Sequence, residues 1–228
     1  MRQLLLDLKA SEPQTFDSFV AGRNQELLQR LNTLTQNDAL PLSDRFVYVW
    51  GEAGAGKTHL LQSLAHAAHA RYLTADSGPE SFVFEPTIRL YLLDDCDRLS
   101  ADTQIAAFAL FNQVRENGAA LVAAGALPPA QLSVREDLRT RLAWGLVYQV
   151  QGLTDDEKIA ALNQAAQVRG LVLSAGVLPY LITHFHRDMR SLSAMLVALD
   201  RYSLETQRPI TLPLLRELLQ QGDEARTQ

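Results

Sequence analysis

Apolar positions follow two rhythms that change near residue 151. Before it, short apolar runs alternate with helical periods. Phe46-Val47-Tyr48-Val49-Trp50, Arg71-Tyr72-Leu73-Thr74, Ile88-Arg89-Leu90-Tyr91-Leu92-Leu93, Ala119-Ala120-Leu121-Val122-Ala123-Ala124 and Leu146-Val147-Tyr148-Gln149-Val150 read as strands. Between them, 57–70, 101–117 and a short piece at 138–146 read as helices, and Asn24 opens another with Leu27, Leu28 and Leu31 on one face. Strands alternating with helices predict a parallel sheet covered on both faces. After Gln151-Gly152 no strand pattern survives. Helices are expected at 155–168, capped by Thr154 and stopped by Gly170, then at 175–185, 188–206 and 211–221, the last with Pro213 in its first turn. The fold class is therefore α/β with a small all-α domain behind it, divided as 1–14, 15–151 and 152–228.

The first strand runs directly into Gly51-Glu52-Ala53-Gly54-Ala55-Gly56-Lys57-Thr58, the P-loop pattern between a buried strand and a helix. Glycines at 51, 54 and 56 let backbone N–H groups wrap a di- or triphosphate, and the helix adds its dipole. Lys57 then reaches the β/γ-phosphates and Thr58 holds Mg²⁺. The third strand ends in Asp94-Asp95-Cys96-Asp97. Read alone, the aspartate pair serves equally well as a helix cap; with the P-loop upstream it reads as a Walker B element, Asp94 serving Mg²⁺ and Asp95 polarising the attacking water. Asp97 is expected at the surface and Cys96 as a packed small residue. Residues 1–8, Met1-Arg2-Gln3-Leu4-Leu5-Leu6-Asp7-Leu8, form an apolar cluster that suits either an extra edge strand or a peptide for another protein's groove, and the edge strand is the simpler reading.

Composition narrows the partners. A net charge of -5 argues against a surface built to collect nucleic-acid phosphates. One cysteine excludes an internal disulfide or a multi-cysteine metal site, and suits a reducing, cytoplasmic setting. No apolar run approaches about 18 residues, so a membrane span is not expected. His184 and His186 are two apart and face different directions on a helix, which argues against a metal pair.

A P-loop α/β core with a helical lid resembles the AAA+ ATPases. Thr15-Phe16-Asp17-Ser18-Phe19-Val20-Ala21-Gly22 resembles the opening box of the bacterial replication initiator DnaA. Leu92-Leu93-Asp94-Asp95, Arg139-Thr140-Arg141-Leu142-Ala143-Trp144-Gly145-Leu146 and Asp188-Met189-Arg190-Ser191-Leu192 resemble that family's Walker B, box VII and sensor 2. DnaA carries a helix-turn-helix domain after the lid, and this chain stops at Gln228. With Gln3-Leu4-Leu5-Leu6-Asp7-Leu8 in front, it is similar to the Hda family of regulatory inactivators of DnaA.

That resemblance implies several roles. Gln3, Leu4, Leu6 and Leu8 would dock on the DNA polymerase III sliding clamp, displacing the edge-strand reading. ADP or ATP with Mg²⁺ would be held by Phe19, Val20, Gly51, Gly54, Ala55, Gly56, Lys57, Thr58, His59, Asp94 and the sensor 2 Arg190, with Arg187 three residues away. Arg141 would be an arginine finger acting on ATP held by DnaA; on the residues alone, a surface arginine paired with Glu136 or Asp137 is an even alternative. Arg139 is the nearest substitute. Sensor 1 is usually polar, whereas Gly125-Ala126-Leu127 has no hydrogen-bonding side chain, so weak intrinsic hydrolysis is expected. The rival readings are an autonomous ATPase such as a helicase loader, and a non-enzymatic adaptor. Self-association and the identity of the resident nucleotide are left open.

Overall fold

The computed structural model describes residues 14–36 and 40–224. The tail residues Gln3, Leu4, Leu6 and Leu8 lie outside them. The described chain divides into two compact units, meeting in sequence at Gly152 and Leu153.

The first unit contains helix α1 (Gln25–Gln36), strand β1 (Phe46–Trp50), α2 (Lys57–Ala67), β2 (Ala70–Leu73), β3 (Leu90–Leu93), α3 (Ala101–Glu116), β4 (Ala120–Gly125), α4 (Glu136–Leu142) and β5 (Leu146–Gln149). The five strands form one sheet in the order β2-β3-β4-β1-β5, and every pairing is parallel. Side chains alternate between two apolar layers, as a strand's period of two requires. Phe46, Tyr48, Tyr91, Leu93, Leu121 and Ala123 pack with Leu110 and Phe111 of α3 and Leu138 and Leu142 of α4. Val47, Val49, Leu90, Leu92 and Val122 pack on the other face with Leu31 of α1 and Leu60, Leu61 and Leu64 of α2. β1, β3 and β4 are thus buried on both faces, which is why they read as unbroken apolar runs. β5 alternates half-buried and exposed positions, as an edge strand does.

Element ends differ slightly from expectation. β2 begins at Ala70 and stops at Leu73, because Thr74 turns its N–H to the Ser77 hydroxyl, 3.0 Å away. β4 runs on through Gly125, which pairs with Trp50, so the expected turn residue is the last rung of the ladder.

The second unit is α5 (Asp155–Val168), α6 (Val177–His184), α7 (Met189–Thr206) and α8 (Leu212–Glu224). A reciprocal Thr154–Glu157 capping box opens α5, and Asp188 caps α7 by accepting from the Ser191 N–H at 2.8 Å. Gly170 takes the left-handed conformation that ends α5. The core gathers Leu162, Leu181, Leu192, Leu196, Leu199 and Leu215. A single bridge between Leu173 and Ile210 ties two connectors, where no strand was expected.

Candidate nucleotide site

β1 delivers Gly51 to the sheet's carboxyl edge, where a Cβ would sit 2.6 Å from the Val150 carbonyl. Only glycine fits that approach between the loop and the chain leaving β5. Gly54 and Gly56 have φ of 78° and 103°, a region costly for side-chain-bearing residues. Gly56 has a second constraint, since a Cβ there would meet the Phe19 ring at 2.7 Å. No side chain caps α2, so its first-turn N–H groups remain available to an anion. Lys57 Nζ donates to the carbonyls of Gly51 (2.7 Å) and Glu52 (3.0 Å), folding its ammonium back across the loop, and Thr58 is exposed. The donors, the glycine-walled cradle and one hydroxyl fit a phosphate group with its magnesium.

The opening box packs against this loop. His59 Nε2 lies 2.9 Å from the Thr15 carbonyl and 3.2 Å from Ser18 Oγ, and Phe19 meets its ring edge-on at 5.3 Å. Burial holds the imidazole below its ordinary pKa, against the pull of the Thr15 carbonyl. Val20 and Ala55 are half-buried. Asn24, which in sequence marks only the start of a helix, proves to be a buried clasp. Its amide donates to Ala21 O (3.1 Å) and Gln151 O (2.9 Å) and accepts from Gln151 N–H (2.7 Å). The signal in sequence is a lone asparagine before a helix; its partner lies 127 residues away.

Asp94, at the end of β3, is 4% exposed. Its Oδ2 accepts from the Tyr72 hydroxyl at 2.6 Å and its Oδ1 from the Asp95 N–H at 3.0 Å. Burial, and then the hydrogen bond to Asp94, keep the Tyr72 phenol well above its usual range. Asp95 adopts φ 50°, unusual for a non-glycine residue, and its half-exposed carboxylate lies 3.4 Å from Arg98. Neither aspartate caps α3: Ser100 does, accepting from the Thr103 N–H.

Asp97 is not the plain surface residue expected. It accepts from the Ala126 N–H at 3.0 Å and so pins the turn after β4, while the Tyr48 hydroxyl donates to Leu127 O at 2.7 Å. A Cβ on Gly125 would collide with that hydroxyl. Gly125 therefore has a steric reason to carry no side chain. Cys96 is fully buried, and desolvation pushes its thiol up to about 12, so it packs and does not react.

Box VII lies at the opposite edge of the sheet. Gly145 presses on the Phe46 carbonyl at the start of β1, where a Cβ has no room. Arg141, in the last turn of α4, lies beside Phe46 and Phe111. Its guanidinium carbon stands 5.5 Å from the centroid of the Phe108 ring, and its Nε is buried without a partner. Asp137 does not pair with it; Arg135 takes that carboxylate at 2.8 and 3.2 Å. Gly145 packs at Phe46, where β1 begins, and the loop follows Trp50, where β1 ends, so the α4–β5 turn that follows Arg141 and the cradle lie toward opposite ends of that strand. Arg139 is half-buried. In the second unit Arg190 is exposed in the first turn of α7, and Arg187 lies 3.7 Å from Asp155.

A glycine-rich loop between a central parallel strand and a helix, an acid ending β3, and a four-helix unit behind define a P-loop AAA+ protein. The family model for the bacterial DnaA ATPase domain matches residues 10–77, and that for the Hda lid domain matches 155–219. An uncharacterised protein of Haemophilus influenzae is 34% identical over 231 residues, covering 96% of this chain and 98% of its own. Domain III of the Thermotoga maritima replication initiation protein DnaA superposes with a TM-score of 0.71 at 20% identity, covering 92% of this chain and 97% of that one. AMPPCP-bound DnaA from Aquifex aeolicus gives 0.68 at 22%, covering 84% of this chain and 66% of that one; at such identities the likeness is one of fold. The chain belongs to the Hda-like, DnaA-related AAA+ proteins. Among the described residues no helix is long and apolar enough to cross a membrane.

Proposed function

We propose that this chain binds an adenine nucleotide to hold its own shape and uses Arg141 to promote hydrolysis of ATP held by the initiator DnaA, switching the initiator off. In this reading the N–H groups of the loop from Gly51 to Gly56 and Lys57 cradle the phosphates, with Phe19, Val20 and His59 beside them, and Arg190 is assigned to the same nucleotide. Thr58 and Asp94 would hold Mg²⁺, which would neutralise negative charge on the phosphates. Asp95 would polarise water in the chain's own site. Turnover there is slow, because the turn after Gly125 carries no hydrogen-bonding side chain. Gln3, Leu4, Leu6 and Leu8 tether the protein to the DNA-loaded sliding clamp.

The observation that carries this reading is the position of Arg141. Its guanidinium has no carboxylate partner among the described residues, and it sits in the last turn of α4, whose following turn packs at the start of β1 while the loop follows that strand's end. A cation so placed suits a phosphate belonging to another subunit, where an arginine finger contributes about 10³ to 10⁵ in rate. The test is hydrolysis of DnaA-bound ATP with loaded clamp. Arg141→Ala is expected to abolish the stimulation while leaving nucleotide binding by the variant intact; equal stimulation by variant and wild type rejects the assignment. The intact Lys57, Asp94 and Asp95 favour a second reading as an autonomous ATPase, which turnover of several per second without any partner would establish.

A further inference from the structure

The Tyr72–Asp94 hydrogen bond links two strands across a register that the sheet sets. β2 and β3 are parallel neighbours with Tyr72 opposite Leu92, and the Asp94 N–H continues the ladder to the Leu73 carbonyl at 2.8 Å. Tyr72, Leu92 and Asp94 consequently share one face of the sheet, the face covered by α2, whose first residues are Lys57 and Thr58. At 2.6 Å this is a short, charge-assisted bond to a carboxylate that is almost wholly buried. A carboxylate alone at a strand end can rotate about its side-chain bonds. With the phenol on Oδ2 and the Asp95 N–H on Oδ1, Asp94 is held at both oxygens.

We propose that Tyr72 is the positioning residue of the Mg²⁺ site: by fixing the Asp94 carboxylate, its hydroxyl sets how far Mg²⁺ strengthens nucleotide binding. The inference rests on the nucleotide reading above and adds to it a residue on a different strand from either phosphate motif. Outer partners that orient a ligating group are typically worth about 10- to 100-fold in metal affinity. Tyr72 meets the structural condition for such a partner, since its hydroxyl bonds the acid and Gln62 of α2, and neither Lys57 nor Thr58.

The experiment titrates fluorescently labelled ADP into the full chain in Mg²⁺ and, separately, in EDTA. Wild type, Tyr72→Phe, Asp94→Asn and the double variant are compared, with circular dichroism melting as a check on folding. Wild type is expected to bind more tightly in Mg²⁺ than in EDTA. Tyr72→Phe should lose about tenfold of the Mg²⁺-supported affinity, keep its affinity in EDTA, and have no further effect when combined with Asp94→Asn. Substituting Mn²⁺ and counting bound metal by electron paramagnetic resonance gives a readout independent of nucleotide fluorescence, and Tyr72→Phe should weaken it in parallel. A Tyr72→Phe variant with the full Mg²⁺ enhancement, or one equally weakened in EDTA, overturns the positioning role while leaving the nucleotide reading standing. Wild type that binds ADP without any Mg²⁺ enhancement removes the metal role of Asp94 and this inference with it. Wild type that binds no nucleotide removes the reading beneath both.

Discussion

The two units of this chain solve the problem of a folded core differently. Among the described residues, the buried Asn24, Ser63, Asp94 and Thr103 belong to the α/β unit, while the buried residues of the helical unit are apolar apart from the Tyr202 hydroxyl, which bonds Glu217. Their glycines differ in the same way. Gly51, Gly56, Gly125 and Gly145 are pressed by neighbours that a Cβ would strike, whereas Gly170 and Gly176 have nothing within 4 Å and serve only their positive φ. Burying a polar group costs stability unless its bonds are made, and two of these four, Asn24 and Asp94, hold segments beside the phosphate loop. The α/β unit is arranged around a site; the helical unit is arranged around itself.

That contrast can be broken experimentally, most severely in the helical core. Leu199 is fully buried among apolar neighbours, and Leu199→Ala should cost about 2 to 5 kcal/mol in urea denaturation. A loss under about 1 kcal/mol would mean that this core is looser than its packing indicates. Asn24→Ala tests the other strategy. It leaves the Gln151 N–H and carbonyl without their side-chain partner, and about 2 kcal/mol of stability should disappear together with part of the nucleotide affinity, because the opening box is released from the end of β5. A variant that loses stability but binds nucleotide normally would detach the clasp from the site.

The smallest expected effect lies at Glu217, which accepts from the Tyr202 hydroxyl (2.5 Å) and pairs with Arg208 (2.8 Å). These partners, Tyr202 first, hold its carboxyl below the ordinary range. A depressed folded-state pKa stabilises the protein above the unfolded value of about 4.3 and loses that contribution as pH falls through the folded value. Melting temperatures followed from pH 7 to 3 should therefore decline less steeply on the acid side for Glu217→Gln than for wild type. Identical slopes would show that this solvent-exposed group contributes nothing measurable.

Legibility from sequence followed distance along the chain. Gly51 to Thr58 is a contiguous pattern whose spacing is its mechanism, and the structure forms the loop with Gly54 and Gly56 in the left-handed region. Thr154 with Glu157, and Gly170 after α5, are local signals of the same kind. Asp97 departs from its surface reading because the N–H it accepts belongs to Ala126, 29 positions on. Tyr72 looks like one more strand residue until the register of β2 on β3 sets it against Asp94. Arg141 is recognisable by its box, but its sequestered Nε and its stacking on Phe108 depend on how α4 packs against α3.

The linear order of residues by itself determined the alternation of strands and helices, the phosphate loop, the acids at the end of the third strand and the change to an all-helical unit. These follow from periodicity and backbone conformation, both set by residues a few positions apart. Only the tertiary structure decided that Gly125 must lack a side chain, that Asn24 clasps Gln151, that a phenol holds Asp94, and that Arg141 stacks on Phe108 with no carboxylate partner among the described residues. Each of these is a contact between segments distant in sequence, selected by strand register and by the steric fit of one layer on another, and no local pattern encodes it.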